Sequence, residues 1–452
     1  LMKFKKNYNV CIIGLGYVGL TLSNIMANRG FKVWGVEKNY EILKNLKAKK
    51  SHFYEPGLNK NLNKNLKNKY FSFSKKIPKN KNISTYIVTV GTPLNSKKKI
   101  EVSYIVKACK EIAKVLKNGD IIILRSTVKV GTSKNIVLPI LNKTGKNFYL
   151  VYCPERAIEG SALSELGNLP QIIGGINQKS INIAKQIFKK ITKKIIVTSN
   201  IETAEMIKLI DNSSRDLFFA YANEVAKACD AVGISASEVI ESGKSGYPRT
   251  RVAKPGLVGG ACLHKDPHIY SQSLNKYGVS AKITLMGREI NETQPIEVAK
   301  FIYDLTKKIK NFPKNPKISL LGLAFKGKPI TDDLRDSMAI KVFQVLRKKY
   351  KKSKFYGYDP IVNVKNIKKI GLQPIDSISK SFLKRSLIII LNNHYIFSKM
   401  LIEKYSKNLN KPAIIYDFWN HFDSNKLKLP QNVEYISLGN HYKSKYFREK
   451  LK

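Results

Sequence analysis

Val10-Cys11-Ile12-Ile13-Gly14-Leu15-Gly16-Tyr17-Val18-Gly19 is the stretch that decides the fold of this chain. Its apolar run predicts a buried strand, and glycines at the spacing GxGxxG let the backbone turn tightly into a helix. The amides at the start of such a helix favour a pyrophosphate, because they lack partners and the helix dipole is positive there. The stretch therefore predicts a dinucleotide site that uses Gly14, Gly16, Tyr17, Val18 and Gly19.

An acidic residue after the second strand indicates which dinucleotide binds. Glu37 ends the next apolar run and is placed to accept hydrogen bonds from the adenosine ribose hydroxyls. Its carboxylate would repel a 2′-phosphate, which favours NAD over NADP, although Lys38 beside it weakens that preference. The alternative is a purely structural glycine turn.

Further apolar runs alternate with amphipathic segments, at 32–36, 86–90, 121–124 and 195–197. Such alternation is typical of a parallel α/β sheet. A capping pattern at 199–202 then begins an unusually long helical segment that continues to Gly233. From Lys317 strands and helices alternate again. We predict an α/β protein with two Rossmann-like, doubly wound parallel-sheet domains, at 1–199 and 301–452, joined by a central helical domain at 200–300.

The net charge of +49 arises from 81 Lys and Arg against 32 Asp and Glu, in a chain of 452 residues. The basic residues are scattered rather than gathered in one tract, so we attribute the charge to surface composition. We expect no specific nucleic-acid binding, and any DNA binding should be weak and sensitive to salt. Hydrophobic residues make up 43% of the chain, which excludes general disorder.

Cysteine usage indicates the cytoplasm. The five cysteines are an odd number without a CxxC pair, which predicts neither a disulfide framework nor a zinc site. No apolar stretch reaches the roughly 18 residues of a membrane span. His264 and His268 have no further ligand cluster around them, so no metal is expected.

Two other segments carry candidate chemistry. Cys262 follows several glycines and precedes Asp266 by four residues, so the two would share a helical face if a helix begins there. Taken alone, Cys262 is either a nucleophile or a small buried hydrophobe. In the long helix Lys208 and Asn212 project from one face, with Arg215 about one turn further on. The alternative for these three is a solvated charged face.

These motifs occur in order along nearly the whole chain, and together they resemble the nucleotide-sugar 6-dehydrogenases, the UDP-glucose and UDP-N-acetylhexosamine dehydrogenases. They are GLGYVGL at 14–20, EPGL at 55–58, VGTP at 90–93, STV at 126–128, CPER at 153–156, AEMIKLIDN at 204–212, GGACLHKDP at 259–267 and LGLAFKGKPITDDLRDS at 321–337.

The resemblance implies a four-electron, NAD-dependent oxidation of the sugar C6 alcohol to a carboxylate. Cys262 would add to the C6 aldehyde, giving a thiohemiacetal and then a thioester. Lys208 and Asn212 would hold the oxyanion, and Asp266 would assist proton transfer. Thr127 and Glu155 would position the hydrolytic water and serve as acid or base.

Cofactor and substrate contacts are implied by the same matches. Thr92 and Thr127 join the cofactor-binding set. Lys326 and Arg335 would contact the nucleotide sugar from the C-terminal domain. The other substrate-binding residues implied are Glu155, Arg156, Lys208, Asn212, Arg215, Arg249 and Gly259.

Arg249 matches an arginine that enters the neighbouring subunit's site in the family, which implies a homodimer or a larger assembly. The loop at 255–260 is one residue shorter than in UDP-glucose enzymes, so either Arg249 or Arg251 could hold this position.

The substrate is not fixed by these motifs. CPER resembles the N-acetylhexosamine branch, whereas GGACLHKDP keeps a form familiar from UDP-glucose enzymes. Our first choice is a UDP-N-acetylhexosamine of the manno or gluco configuration, and UDP-glucose is the alternative. A single-hydride hydroxyacid dehydrogenase is a distant third, because it needs neither Cys262 nor a second α/β domain. The product would be a uronic acid for polysaccharide biosynthesis.

Overall fold

Apolar runs and helices alternate along the chain to build two separate sheets. The structure is a computed structural model, and it describes residues 9–79 and 81–448. The strands are β1 (Asn9–Ile13), β2 (Lys32–Val36), β3 (Phe71–Ser74), β4 (Thr85–Val88), β5 (Ile121–Leu124), β6 (Tyr149–Tyr152), β7 (Gln171–Gly175), β8 (Ile195–Val197), β9 (Ile318–Leu321), β10 (Phe355–Tyr358), β11 (Gln373–Pro374), β12 (Leu387–Ile390), β13 (Ala413–Asp417) and β14 (Val433–Ser437).

The helices vary from single turns to two very long elements. They are α1 (Tyr17–Asn28), α2 (Tyr40–Lys47), α3 (Leu58–Lys67), α4 (Ser103–Ala113), α5 (Leu138–Asn142), α6 (Ala162–Asn168), α7 (Gln178–Phe188), α8 (Ile201–Val232), α9 (Ala236–Lys244), α10 (Asp266–Leu274), α11 (Lys282–Lys308), α12 (Met338–Lys349), α13 (Val364–Lys369), α14 (Ile378–Phe382), α15 (Tyr395–Ser398), α16 (Ile402–Ser406) and α17 (Lys445–Arg448).

The first compact unit comprises Leu1–Asn212 and Lys265–Ala281. Its eight strands lie in the order β3-β2-β1-β4-β5-β6-β7-β8. All neighbouring pairs are parallel except β6 and β7, which are antiparallel. β1 lies near the centre of this order, with the chain extending to either side of it, which is the doubly wound arrangement predicted from the first glycine turn.

Side chains of β1 alternate between the two faces of this sheet. Val10 and Ile12 pack in one apolar cluster, whereas Cys11 and Ile13 pack in another. Both faces are therefore covered, as a parallel sheet with crossover helices requires. Each large apolar side chain that is fully buried contributes about 1.5–3 kcal/mol.

The long helix α8 confirms the prediction of a helix ending near Gly233, and it contains 32 residues. The cap differs from the predicted one, since Asn200 rather than Ser199 satisfies the first turn. The Asn200 side-chain oxygen accepts a hydrogen bond from the Thr203 amide at 2.8 Å. Asparagine lies three residues before this amide, which is the spacing that the cap requires.

The second compact unit comprises Ser213–His264 and Lys282–Lys452. Its six strands are all parallel, in the order β11-β10-β9-β12-β13-β14. The C-terminal segment is fixed to α8 of the same unit, because Asp230 accepts hydrogen bonds from the amides of Gly439, at 3.1 Å, and His441, at 2.7 Å. The predicted fold class, with two such sheets and a long helix, is confirmed.

Two other expectations concern the chain as a whole. The three-domain division at 1–199, 200–300 and 301–452 stays a prediction. Within residues 9–79 and 81–448, no helix combines the length and apolar character that crossing a bilayer requires.

Candidate active site

The glycine turn of the first unit leaves room for a ligand at the start of α1. Gly14 has a φ of +92°, which strongly favours glycine. A Cβ at Gly19 would lie 1.8 Å from the Gly14 carbonyl oxygen, so helix and turn meet too closely for a side chain. A Cβ at Gly16 would meet no atom within 4 Å, and no side chain caps the helix there. The first amides of α1 thus have space for a phosphate.

Glu37 follows β2 and already binds backbone amides. One carboxylate oxygen accepts from Leu15, at 2.8 Å, and the other from Lys38 and Asn39, at 2.8 and 2.9 Å. A carboxylate offers about four acceptor positions, so about one remains for a ribose hydroxyl.

A cavity of about 850 Å³ lies over this edge of the sheet. Its size is within the range of cofactor sites. Its lining combines apolar residues with basic ones, and it includes Gly14, Gly16, Glu37, Lys38, Asn39, Lys75, Lys76, Val90, Pro93 and Lys107. The open glycine turn, the acid beyond β2 and the basic lining fit an anionic dinucleotide.

The Tyr17 side chain is held by the protein itself. Its hydroxyl donates to a Glu55 carboxylate oxygen and accepts from the Gly160 amide at 2.9 Å. Burial and the neighbouring Glu55 raise the pKa of Tyr17, so the phenol stays protonated. Tyr17 and Val18 are the first residues of α1.

Five predicted or neighbouring residues form one chain of hydrogen bonds in the first unit. The Asn212 amide donates to Asp266 at 2.5 Å, and Lys265 donates to the other Asp266 oxygen at 3.0 Å. Lys265 also reaches the Thr92 hydroxyl at 3.4 Å, which in turn donates to the Thr127 carbonyl at 2.7 Å. Thr92 and Thr127 follow the adjacent strands β4 and β5, which explains their proximity.

Lys208 and Asn212 are buried, at 8% and 5% exposure, so a solvated charged face is wrong for these two residues. They lie one turn apart on α8, as their spacing predicts. Arg215 is exposed and belongs to the second unit.

Glu155 follows β6 and lies in a buried ion pair. Arg125, at the end of β5, donates to one Glu155 oxygen at 2.6 Å. The other oxygen accepts from the Arg156 and Ala157 amides, both at 2.8 Å. Burial opposes ionisation, but Arg125, these donors and Lys208 outweigh it and lower the pKa of Glu155. The geometry suits an ionised acceptor that orients a water better than a proton donor.

Three polar residues of this unit were not predicted as site residues: Arg125, Lys265 and Glu205. Glu205 is fully buried and accepts from the Gly131 and Ser133 amides at 2.5 and 2.9 Å, which fixes α8 to the loop after Thr127. Two of these residues could have been found from the sequence. Arg125 directly follows an apolar run, and Glu205 is an acid among apolar residues of a helix, so each is a candidate for a buried, paired charge.

In the second unit, Cys262 is exposed and lies in a turn. The condition for a helical face shared with Asp266 is not met, because α10 begins only at Asp266. Gly260, with a φ of +91°, is unsuited to a helix, and Pro267, the second residue of α10, is suited to a first helical turn. A Cβ at Gly259 would lie 2.4 Å from the Asp336 carbonyl oxygen, so the loop passes very close to residue 336.

Of the other residues predicted to bind substrate, Arg156 and Arg249 contact groups within their own units. Arg156 lies 3.5 Å from Asp211 and donates to the Pro170 carbonyl at 2.9 Å. Arg249 stacks on the ring of Tyr247 at 4.6 Å, and Arg251 is exposed.

In the loop after β9, the Lys326 ammonium lies 5.3 Å from the centre of the Phe325 ring. Arg335 is exposed and forms a bidentate pair with Asp333, with its shortest contact at 2.6 Å. Asp333 also accepts from the Arg335 amide at 2.9 Å, as an aspartate in a turn often does. Among residues 9–79 and 81–448, no group of three or more side chains is arranged to hold a metal ion.

Family models built from known proteins match three consecutive segments of the chain. The UDP-glucose/GDP-mannose dehydrogenase family models match the chain as an NAD binding domain at 8–192, a central domain at 202–293 and a UDP binding domain at 319–424. The cofactor of this chain is therefore NAD, as the glycine turn and Glu37 predict.

Several relatives are similar over most of their length. A UDP-N-acetyl-D-mannosamine dehydrogenase of Pyrococcus horikoshii is 31% identical over 90% of this chain and 94% of its own. A protein of the same name from Campylobacter jejuni is 37% identical over 74% of this chain and 82% of its own.

A solved UDP-D-ManNAc dehydrogenase structure from Pyrococcus horikoshii superimposes with a TM-score of 0.85 at 30% identity, covering 96% of this chain and all of that one. A UDP-glucose dehydrogenase from Pyrobaculum islandicum has a TM-score of 0.83 at 21% identity, covering 97% and 99% of the two chains, and shares the fold. The motifs, the two sheets, the family models and these relatives agree, and the chain belongs to the UDP-glucose/GDP-mannose dehydrogenase family.

Proposed function

We propose that this protein oxidises the C6 hydroxyl of a UDP-N-acetylhexosamine to a carboxylate, in two NAD-dependent steps. The observation that carries the proposal is the hydrogen-bonded chain from Asn212 through Asp266, Lys265 and Thr92 to Thr127, which connects family-matched residues in the NAD-binding unit.

Roles for the chain's own residues follow from their chemistry and the family match. NAD, when bound, accepts a hydride from C6 in each step. The Cys262 thiolate adds to the C6 aldehyde and forms a thiohemiacetal. Loss of the second hydride from C6 of this adduct then gives a thioester. Lys208 and Asn212 stabilise the oxyanion, and Asp266 takes up and returns protons. Glu155 and Thr127 then orient the water that releases the acid and the thiol.

Relatives favour the N-acetylmannosamine configuration. Seven curated relatives, 31–37% identical, carry the name UDP-N-acetyl-D-mannosamine dehydrogenase. UDP-glucose remains the alternative substrate, and Lys326 and Arg335 are proposed to contact the diphosphate in either case.

A panel of UDP-sugars tests this proposal. UDP-N-acetylmannosamine, UDP-N-acetylglucosamine and UDP-glucose are each incubated with enzyme and NAD, and NADH is counted per sugar consumed. We expect two NADH per sugar, with the highest kcat/KM for UDP-N-acetylmannosamine. A yield of one NADH per sugar, or no NADH from any of the three UDP-sugars, would contradict the proposal.

Replacing Glu37 with serine is expected to weaken NAD binding and to relax the exclusion of NADP. The loss of about one charge-assisted hydrogen bond to the ribose corresponds to about 1–3 kcal/mol. The measurement is the Kd of NAD and of NADP by titration calorimetry. Glu41→Ser, at an exposed position of α2, is the matched control. A native preference for NADP would assign the selectivity to Lys38 instead.

We also propose a homodimer or larger assembly, supported by an apolar surface on paired helices of the second unit. Gly287 of α11 lies against α8, since a Cβ there would be 2.9 Å from Leu217. Near this crossing, large apolar side chains are exposed: Phe218 and Tyr221 on α8, and Ile283 and Met286 on α11. Exposed apolar groups of this kind mark protein contacts. The partner would contribute Arg249 or Arg251.

Tyr221→Glu is expected to shift the protein from dimer to monomer, because a charge would be buried at the interface. Sedimentation velocity over a range of concentrations measures the shift. Val364→Glu, on the exposed face of α13, is the control and should leave the assembly unchanged. A native protein that is monomeric at all concentrations would exclude this surface as an interface.

The cytoplasmic location and the lack of specific nucleic-acid binding stay predictions.

A further inference from the structure

The loop that carries Cys262 is held from the protein interior by a buried arginine. Arg288 lies on α11 and is 1% exposed. Its guanidinium donates to the carbonyl oxygens of Val258 and Leu263, each at 3.0 Å. These two residues bracket Gly259–Cys262, so one rigid, planar group joins both ends of the short loop.

A second set of contacts fixes the arginine itself. Asp216 of α8 accepts from Arg288 at 2.8 Å. Asn291, one turn after Arg288 on α11, donates to the same Asp216 oxygen at 3.0 Å. The buried positive charge is thus neutralised and its side chain held in one orientation.

The same network reaches the entrance of the loop. The Asn223 oxygen accepts from the Gly256 amide at 2.9 Å, and the Asn223 amide donates to Asn291 at 2.8 Å. Four buried polar side chains on two helices therefore hold the backbone from residue 256 to residue 263. Several hydrogen bonds from buried side chains to one short segment restrict the conformations of that segment.

The position of these bonds points to function as well as stability. Burying an arginine carries a large desolvation cost, and apolar residues often fill such a space with equal stability. Gly259 and Gly260 also make the loop intrinsically flexible. We infer that Arg288 is a positioning residue that holds Cys262 in place for the second oxidation. This inference rests on the proposed function.

The test is Arg288→Lys, which keeps the charge but cannot bridge both carbonyls. Single-turnover measurements separate the first hydride transfer, which does not need Cys262, from the second. We expect the second rate to fall at least about tenfold relative to the first, since a misplacement of about 1 Å can lower a rate 100-fold. The KM for the UDP-sugar should change less than kcat. Arg385→Lys, a half-buried arginine of the same unit, should leave the ratio unchanged.

A second readout needs no substrate. Hydrogen exchange of the amides at 257–263 should accelerate at least about tenfold in Arg288→Lys and remain native in Arg385→Lys. If Arg288→Lys does not fold, Asn223→Ala takes its place, and we expect the same pattern with a smaller effect.

An equal fall of both oxidation rates, or native exchange in 257–263, would overturn the inference. If the native enzyme forms no NADH from any UDP-sugar, the proposed function fails and the catalytic role of Arg288 fails with it. The exchange measurement then still reports separately whether Arg288 fixes the loop.

Discussion

The Cys262→Ala variant is expected to form at most one NADH per sugar, whereas the native enzyme should form two. Without the thiol no thiohemiacetal can form, so the aldehyde has no substituent that supports loss of a second hydride. Nucleotide-sugar affinity should change little, because we assign it mainly to Lys326 and the C-terminal sheet domain. The defect should therefore appear in kcat and not in the Kd of the UDP-sugar.

Cys262→Ser provides the matching test of covalent chemistry. A serine hydroxyl can still add to the aldehyde, but it is a poorer nucleophile, so turnover should fall severely and the sugar should remain attached. Intact-protein mass spectrometry would detect the adduct. Cys229→Ala, at a buried cysteine of α8, is the control and should keep two NADH per sugar. Two NADH from Cys262→Ala at a native rate would exclude covalent catalysis and leave oxidation of the aldehyde hydrate.

The Glu155→Gln variant is expected to lower the free energy of unfolding of the first unit by about 3–5 kcal/mol. The substitution leaves the Arg125 guanidinium buried without its counter-charge, and this loss is the largest cost of breaking a buried pair. Trp34 lies in the first unit and Trp419 in the second, so urea unfolding in a Trp419→Phe background lets Trp34 report on the first unit alone.

The loss should depend on pH in a defined direction. The pKa of Glu155 is lowered in the folded protein, so its ionisation stabilises the fold above the unfolded pKa of about 4.3. That stabilisation is lost as the pH falls through the folded pKa. The difference between native protein and Glu155→Gln should therefore be full at pH 7 and shrink below about pH 4.

Two controls identify the ion pair as the cause. Glu111→Gln removes an exposed pair with Lys114, at 2.7 Å, and should change the free energy of unfolding by less than about 1 kcal/mol. Arg125→Met combined with Glu155→Leu removes both buried charges and should restore most of the loss. An effect of Glu155→Gln that is independent of pH would contradict the assignment.

The sequence predicted the glycine turn and the long helix, because each of these features depends on residues that are close together in the chain. The turn at Gly14 requires glycine for reasons contained in a few residues, and the 32-residue helix follows from its own periodicity. Thr92 and Thr127 were named only through the family resemblance, and their proximity results from the pairing of β4 with β5 in the structure.

Long-range pairings were not predictable in the same way. Arg125 meets Glu155 only because β5 and β6 are neighbours, and nothing within either segment names the other. The antiparallel pairing of β6 and β7 has no local signal either. The buried contacts of Arg288 join α8, α11 and the cysteine loop, so they depend on the packing of helices distant in sequence.

The two compact units are interleaved along the chain, and this arrangement restricts how such a gene can evolve. Lys265–Ala281 belongs to the first unit, although the chain leaves that unit at Asn212. A recombination event with one crossover would therefore give a first unit without Asp266, and Asn212 would lose its hydrogen-bond partner. Exchange of the whole second unit, Ser213–His264 together with Lys282–Lys452, needs three simultaneous crossovers. We expect the specificity of these enzymes to diversify by substitution within loops, not by shuffling of domains.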